Sequence, residues 1–196
     1  PSAVTAQRTY VVTATNTGGF TTANVVITVN DVVPSALSYT TPNVFTNGTA
    51  ISNLSPTVSG GTVTSYTVNP SLPAGLAINA TSGVISGTPS AVTAQGTYVV
   101  TATNSGGFTT ANVVITVNAV APSALVYTPS PVIALKDITN ISSIPSASGG
   151  AVVSYSILPA LPAGVSINAT TGEISGTPSV VSSINTYTIT ATNSGG

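Results

Sequence analysis

The first thirty residues of the chain, PSAVTAQRTYVVTATNTGGFTTANVVITVN, return at Pro89–Asn118 and differ there only at Arg8/Gly96 and Thr17/Ser105. The offset is 88 residues, and a third, more diverged copy opens at Pro178, 89 residues further on. The intervening stretch repeats as well: Pro34-Ser35-Ala36-Leu37 recurs at Pro122-Ser123-Ala124-Leu125, and Ser71–Ser90 recurs at Ala160–Ser179. Repetition at a fixed period restricts the chain to a row of like units, each folding by the same rules as its neighbours. The period divides the chain into residues 1–30, the C-terminal part of one module; 31–118, a complete module; and 119–196, a module without the equivalent of Phe108–Asn118. The chain opens inside a repeat and carries no secretion leader, so it is expected to be a piece of a longer protein. The linkers Asp31-Val32-Val33-Pro34 and Ala119-Val120-Ala121-Pro122 are short, contain proline and lack a Gly/Ser tract. Such junctions are semi-rigid, favouring a rod over a loose string.

Within a module the apolar residues alternate with a period of two, and no stretch has helical spacing. In Thr97–Asn104, Tyr98, Val100 and Ala102 share one face; in Thr109–Val117, Val113, Ile115 and Val117 do. Asn104-Ser105-Gly106-Gly107 between them supplies residues that tolerate positive φ, which predicts a hairpin. Upstream, Leu37 and Tyr39 suit a first strand and Ala50–Leu54 a second. Val63–Val68 follows a turn at Ser59-Gly60-Gly61, with Tyr66 and Val68 inward. Leu76–Asn79 and Val84–Ser86 flank a turn at Ala80–Gly83. About seven short strands per module, with a turn every 8–12 residues, predict an all-β fold of tandem antiparallel β-sandwiches, each of about 88 residues.

Composition removes most chemistries. Five of the 196 residues are charged, two basic and three acidic, and His, Cys, Met and Trp are absent. Without His or Cys there is no imidazole base, thiolate nucleophile or ordinary zinc site. Five charges cannot furnish an acid–base active site with its supporting groups, so no enzyme, catalytic residue or cofactor is expected. Two basic residues cannot neutralise a nucleic-acid backbone or hold an anionic membrane surface. Apolar runs stop after a few residues, as at Val113–Ile115, whereas a spanning helix needs roughly twenty. Without Cys, disulfides give no information about compartment.

The segment Leu72-Pro73-Ala74-Gly75-Leu76, followed by Ser82-Gly83-Val84-Ile85-Ser86-Gly87-Thr88-Pro89 and then Thr97-Tyr98-Val99-Val100-Thr101-Ala102-Thr103-Asn104, resembles the He-PIG type of immunoglobulin-like module found in bacterial surface proteins. It is also similar to dystroglycan-type cadherin-like modules. The pattern is complete in the second and third modules, and its tail is present in the first. The resemblance implies an immunoglobulin-like sandwich in a long, secreted or cell-surface adhesin or its stalk. Cadherin repeats bind calcium at junctions through clustered carboxylates. Here only Asp31 of Asp31, Asp137 and Glu173 lies in a linker, and its counterpart is Ala119. Hard cations take several oxygen ligands, so no metal site is expected.

Individual residues offer few further sites. Glu173 follows a turn glycine, and its equivalent is Val84, which marks a solvated turn. Lys136 and Asp137 are adjacent, a loop pair worth little. Some bacterial surface modules join Lys to Asn through an isopeptide bond beside a buried carboxylate, which Glu173 or Asp137 would have to supply. The second module has no Lys, so such a bond is not a property of the repeat. Tyr10, Tyr98 and Tyr187 recur at one strand position, as do Tyr66/Tyr155 and Tyr39/Tyr127, which indicates core packing with the hydroxyl at the rim, in preference to sugar stacking. Phe20 and Phe108 follow the hairpin turn and suit partial exposure or packing on a neighbouring module. Asn-x-Ser/Thr sequons at Asn47, Asn53, Asn79, Asn140 and Asn168 are what a chain over one-third Thr, Ser and Asn produces by chance.

The expected function is that of a non-enzymatic stalk or filament segment in a long extracellular, bacterial surface protein that supports adhesion. Its partners would be neighbouring modules of its own chain, head-to-tail copies of itself, and an unidentified host, surface or glycan ligand. The alternative is a series of weak glycan- or protein-binding modules acting by avidity.

Overall fold

The structure, a computed structural model, describes residues 4–196, and among them every regular element is a strand. No helix of the described residues is long and apolar enough to cross a membrane. The chain separates into two compact units. One comprises Pro1–Asn43, Ala50–Thr88 and Gln95–Ile115; the other comprises Val44–Thr49, Pro89–Ala94 and Thr116–Gly196.

The first unit opens with β1 (Thr5–Asn16) and β2 (Gly19–Val29), an antiparallel hairpin that pairs only with itself. In chain order there follow β3 (Pro34–Ser38), β4 (Asn43–Thr46), β5 (Thr57–Gly60), β6 (Ser65–Asn69), β7 (Leu76–Ile78), β8 (Ile85–Gly87), β9 (Thr93–Asn104) and β10 (Gly107–Asn118), with most of β4, the start of β9 and the end of β10 counted in the second unit. β3 pairs with β5 and β7 with β8, while a four-stranded sheet has the order β4-β10-β9-β6. The predicted hairpin is present as β9 and β10, and both strands start earlier than the apolar alternation alone suggests. Its inward faces are as expected. Tyr98, Val100, Ala102, Val113, Ile115 and Val117 are buried, all but Tyr98 completely. Around Val113 and Ile115 the first unit buries Leu37, Tyr39, Tyr66, Leu76 and Ile85.

The front of the module departs from the expectation in three places. Ala50–Leu54 is not a strand; only Leu54 makes an isolated bridge, to Ile85. Ser59 and Gly60 are strand residues of β5, where a turn is expected, because the Ser35 and Pro34 backbones pair with them. β4 is a short strand with no alternation to announce it. A repeated irregularity also marks the first strand. The register shifts between Ser35 and Ser38, where Ala36 has φ of 51°, and again between Ser123 and Val126, where Ala124 has φ of 48°. Left-handed alanine is disfavoured, and its recurrence at one repeat position marks a bulge built into the fold.

The second unit continues with β11 (Pro122–Val126), β12 (Ile141–Ser143), β13 (Ser146–Gly149), β14 (Ser154–Leu158), β15 (Val165–Ile167), β16 (Ile174–Gly176) and β17 (Thr188–Thr192). β11–β13 and β14–β17 repeat the β3–β5 and β6–β9 pairings. No strand of residues 119–196 answers to β10, and none answers to β4, which β10 flanks in the preceding repeat. The core positions respond. Tyr127, Ile174, Tyr187 and Ile189 are partly exposed, whereas their equivalents Tyr39, Ile85, Tyr98 and Val100 are buried.

The repeated hairpin supplies an internal control, because Gly19–Asn30 and Gly107–Asn118 are identical in sequence. Ile115 is fully buried and Ile27 is 46% exposed. Truncating a buried isoleucine removes its transfer energy and leaves a cavity, at a cost of about 2–5 kcal/mol. At an exposed position the same change costs less than about 0.5 kcal/mol. Ile115→Ala is therefore expected to lower a thermal transition of the dilute chain markedly, and Ile27→Ala to leave the melt unchanged. Equal effects in calorimetry would contradict this assignment of the core.

Candidate functional site

The repeated polar feature of the structure lies where each linker meets the module that it enters. Asn104 ends β9 and is 6% exposed. Its Nδ2 donates to the Val32 carbonyl at 2.7 Å and the Thr62 carbonyl at 3.2 Å. Its Oδ1 accepts from the backbone N–H of Gly106 at 2.8 Å and Gly107 at 3.2 Å. One amide thus fastens the linker, the segment after β5 and the hairpin turn together. Asn suits the task because its amide both donates and accepts, and all four bonds go to backbone. Close approach is required too. A Cβ on Gly61 would strike the Val32 carbonyl, and one on Gly106 the Asp31 carbonyl.

The arrangement recurs in the second unit. Asn193 Nδ2 donates to the carbonyls of Val120 at 2.7 Å and Ala151 at 3.1 Å, and its Oδ1 accepts from Gly195 N–H at 2.7 Å. Gly150 and Gly195 take the places of Gly61 and Gly106, against the carbonyls of Val120 and Ala119. The hydroxyls repeat as well: Ser105 accepts from Asp31 N–H at 3.1 Å and Ser194 from Ala119 N–H at 2.9 Å. Ser105 in turn donates to the Asp31 carboxylate at 3.0 Å, a bond that Ala119 cannot accept. Asp31 therefore trims one junction and forms no part of a carboxylate group. Among the described residues no three His, Cys, Asp or Glu gather where a metal ion could be held.

The other candidates are dispersed. Lys136 and Asp137 form an exposed ion pair at 3.4 Å, with side chains 49% and 63% accessible. Glu173 precedes β16, is half-buried, and accepts from Ser142 Oγ at 3.0 Å, so it is better held than a free turn residue. Phe108 is 66% exposed and Phe20 is 75% exposed. Asn79 and Asn168, both in sequons, form turns: each Oδ1 accepts from the N–H groups two and three residues on. Tyr39, Tyr66 and Tyr98 pack in the core as expected, whereas Tyr127, Tyr155 and Tyr187 are partly exposed and Tyr10 is 47% exposed. Tyr39 Oη donates to the Gly83 carbonyl at 2.7 Å, and Tyr127 Oη to Gly172 at 2.7 Å. Gly83 has φ of 72°, and a side chain there would strike the Tyr66 ring, which accounts for the glycine in the Ser82-Gly83-Val84 motif. The Asn clamp itself was not anticipated, although the Asn-Ser/Thr-Gly-Gly sequence at residues 16, 104 and 193 is its visible trace.

This geometry accompanies a clear family relationship. The He_PIG family (Putative Ig domain) matches residues 31–119 and again residues 122–196, and the chain belongs to it. It is a tandem of immunoglobulin-like β-modules. Its fold is similar to that of an I-band fragment of titin, at 12% identity over 95% of this chain and 70% of that one, with a TM-score of 0.50. Extracellular domains of Drosophila OTK match at 16% identity over 91% of this chain and 64% of theirs, with a TM-score of 0.46. Drosophila N-cadherin matches at 16% over 98% and 55%, with a TM-score of 0.40. No curated protein matches the chain significantly.

The clamp and the buried tyrosines each make a measurable difference. Asn104→Ala leaves two carbonyls and two turn N–H groups without their partner, a loss of about 1–3 kcal/mol. Amide exchange at Gly106 and Gly107 is expected to accelerate in this variant, and unchanged protection would refute the clamp. Burial, with a smaller contribution from the neighbouring Tyr66, raises the Tyr39 hydroxyl above its ordinary pKa; burial also raises Tyr66. Unfolded tyrosine ionises near pH 10, so the native state holds these protons more tightly. Stability is then fully present below about pH 10 and declines as pH rises through the folded-state values. The melting temperature is expected to be level from about pH 5 to 9 and to fall above about 10. Tyr39→Phe should weaken the alkaline fall.

Proposed function

We propose that the chain is a segment of a non-enzymatic stalk or filament in an extracellular surface protein, bacterial in origin, that supports adhesion. The observation that carries this reading is the linker clamp, in which Asn104 and Asn193 each donate to a linker carbonyl, Val32 and Val120. Repetition of a whole module adds length without adding a site, and what a stalk requires of each copy is a controlled connection to the next. At each junction one Asn amide bonds both the linker carbonyl (Val32 or Val120) and the segment behind it (Thr62 or Ala151), and two glycines admit the linker carbonyls, removing freedom from an already short, proline-containing segment. The scarcity of charge fits the same role, because folding then depends little on salt or pH near neutrality. Family membership supports the reading in kind, since immunoglobulin-like tandems serve as structural and adhesive modules.

Small-angle scattering of the chain and of an Asn104→Ala, Asn193→Ala variant tests the role of the clamp. Greater conformational spread in the variant, with unchanged strand content by circular dichroism, is the expected result. Identical scattering would remove the mechanical reading. Melts with calcium and with chelator are expected to coincide, because the junctions rely on amides in place of carboxylates. Saturable binding to a glycan array through the repeated Thr/Ser/Asn faces would instead favour modules acting by avidity.

A further inference from the structure

We propose that tension on the chain bypasses most of module 31–118, passing from the linker through the Asn104 clamp into β10 and out at Asn118. The linker meets the clamp before it meets the first strand of the module. Asn104 Nδ2 holds the Val32 carbonyl at 2.7 Å, while Ser105 Oγ accepts from Asp31 N–H at 3.1 Å and donates to the Asp31 carboxylate at 3.0 Å. All three bonds fall upstream of Pro34, where β3 begins. A pull on the linker therefore loads them first. The turn that they load is the covalent start of β10, since Asn104-Ser105-Gly106 runs directly into Gly107–Asn118. Just past Asn118 the chain is gripped again, Ala119 N–H by Ser194 Oγ at 2.9 Å and the Val120 carbonyl by Asn193 Nδ2 at 2.7 Å. Clamp, strand and clamp form one continuous route, and β3 to β8 lie outside it.

The competing route follows the backbone through Val33 and Pro34 into β3, and it is the weaker of the two. β3 is five residues long and pairs with β5 in a register that breaks between Ser35 and Ser38, where Ala36 has φ of 51°. The Val33 carbonyl accepts from Gly61 N–H at 3.4 Å, a long bond. β10 is a twelve-residue strand seated between β9 and β4, with Val113, Ile115 and Val117 fully buried. Asn104 is 6% exposed, so its amide has no water at hand to replace a stretched bond, and a bond without a substitute is the costly kind to break. The role in bearing tension rests on the stalk reading, because only a chain held at both ends is stretched. The route itself is a property of the module and is measured without reference to that role.

The point of attachment selects the route. The chain contains no Cys, so pulling handles can be placed at chosen thiols on the full chain. Asn30→Cys with Ala119→Cys loads the linker ahead of the clamp, and Ser35→Cys with Ala119→Cys enters beyond it. At one constant force, the dwell before the module opens is expected to be at least about tenfold longer from 30 than from 35, which is the rate equivalent of losing a shielded amide bond. Asn104→Ala is expected to shorten the dwell from 30 far more than the dwell from 35 and so to remove the difference. Ile85→Val, a core truncation off the route, is expected to shorten both alike and to preserve it. A dwell from 30 no longer than that from 35, or equal shortening of the two by Asn104→Ala, overturns the proposal. Either result leaves the stalk reading to its own scattering test, since a stiff spacer need not carry tension through its clamps.

Discussion

The seating of β10 against the rest of its repeat is the interaction on which the architecture depends. Val113, Ile115 and Val117 project from one face of that strand into complete burial, and the strand also lies between β9 and β4 in the sheet. It therefore supplies core volume and backbone partners together. Residues 119–196 lack such a strand, and the effect is visible in both respects. The segment equivalent to β4 forms no strand, and Ile174 and Ile189 are partly exposed where their equivalents Ile85 and Val100 are buried. β11–β13, β12–β16 and β14–β17 still pair. The local ladders form without a β10 equivalent, and full burial of the core positions is seen where β10 is present.

A chain with five charged residues must meet its polar requirements by other means. Backbone carbonyls are the recurrent acceptors: Gly83 and Gly172 for the tyrosine hydroxyls, and Val32, Thr62, Val120 and Ala151 for the clamp amides. Neutral donors on neutral acceptors are individually modest, yet leaving one unmade in a buried place is expensive. These bonds do not titrate near neutral pH, and salt screens them little. Positions such as Gly61 and Gly83 are fixed for a related reason, since the carbonyl or ring that completes the network occupies the space a side chain would need.

Legibility in the sequence tracked the range of the interaction. The β9–β10 hairpin could be read because its determinants are local: alternation through Tyr98, Val100 and Ala102, and turn residues between the strands. The immunoglobulin-like class was legible in the strand count and in the Leu72–Pro89 motif. β4 and β5 were hidden because they have little alternation of their own. β5 is a strand because β3 lies beside it, and Ser59-Gly60 has turn-forming residues placed in a ladder. Ala36 gives no hint of a left-handed conformation, which the bulge imposes from across the sheet. The clamp was obscured for a similar reason. Asn104 sits in a predicted turn, and a turn accounts for it locally, whereas its bonds to Val32 and Thr62 span 72 and 42 residues.

Those long spans bear on a hazard peculiar to near-identical repeats. Neighbouring copies of one hairpin compete for one groove, and the wrong partner offers the same side chains as the right one. Contacts within the groove cannot discriminate between sequences that match at every buried position. Discrimination has to come from connection, that is, from which hairpin is held near which front segment. The clamp provides such a connection, because it joins the linker that begins a module to the turn of the hairpin that ends it. Closing this loop raises the local concentration of the module's own hairpin over any other. In the β1–β2 copy, Asn16 is left with a bond from Gly18 N–H within its own turn, the turn-forming half of the role that Asn104 plays in full. The linker half needs a front segment to hold.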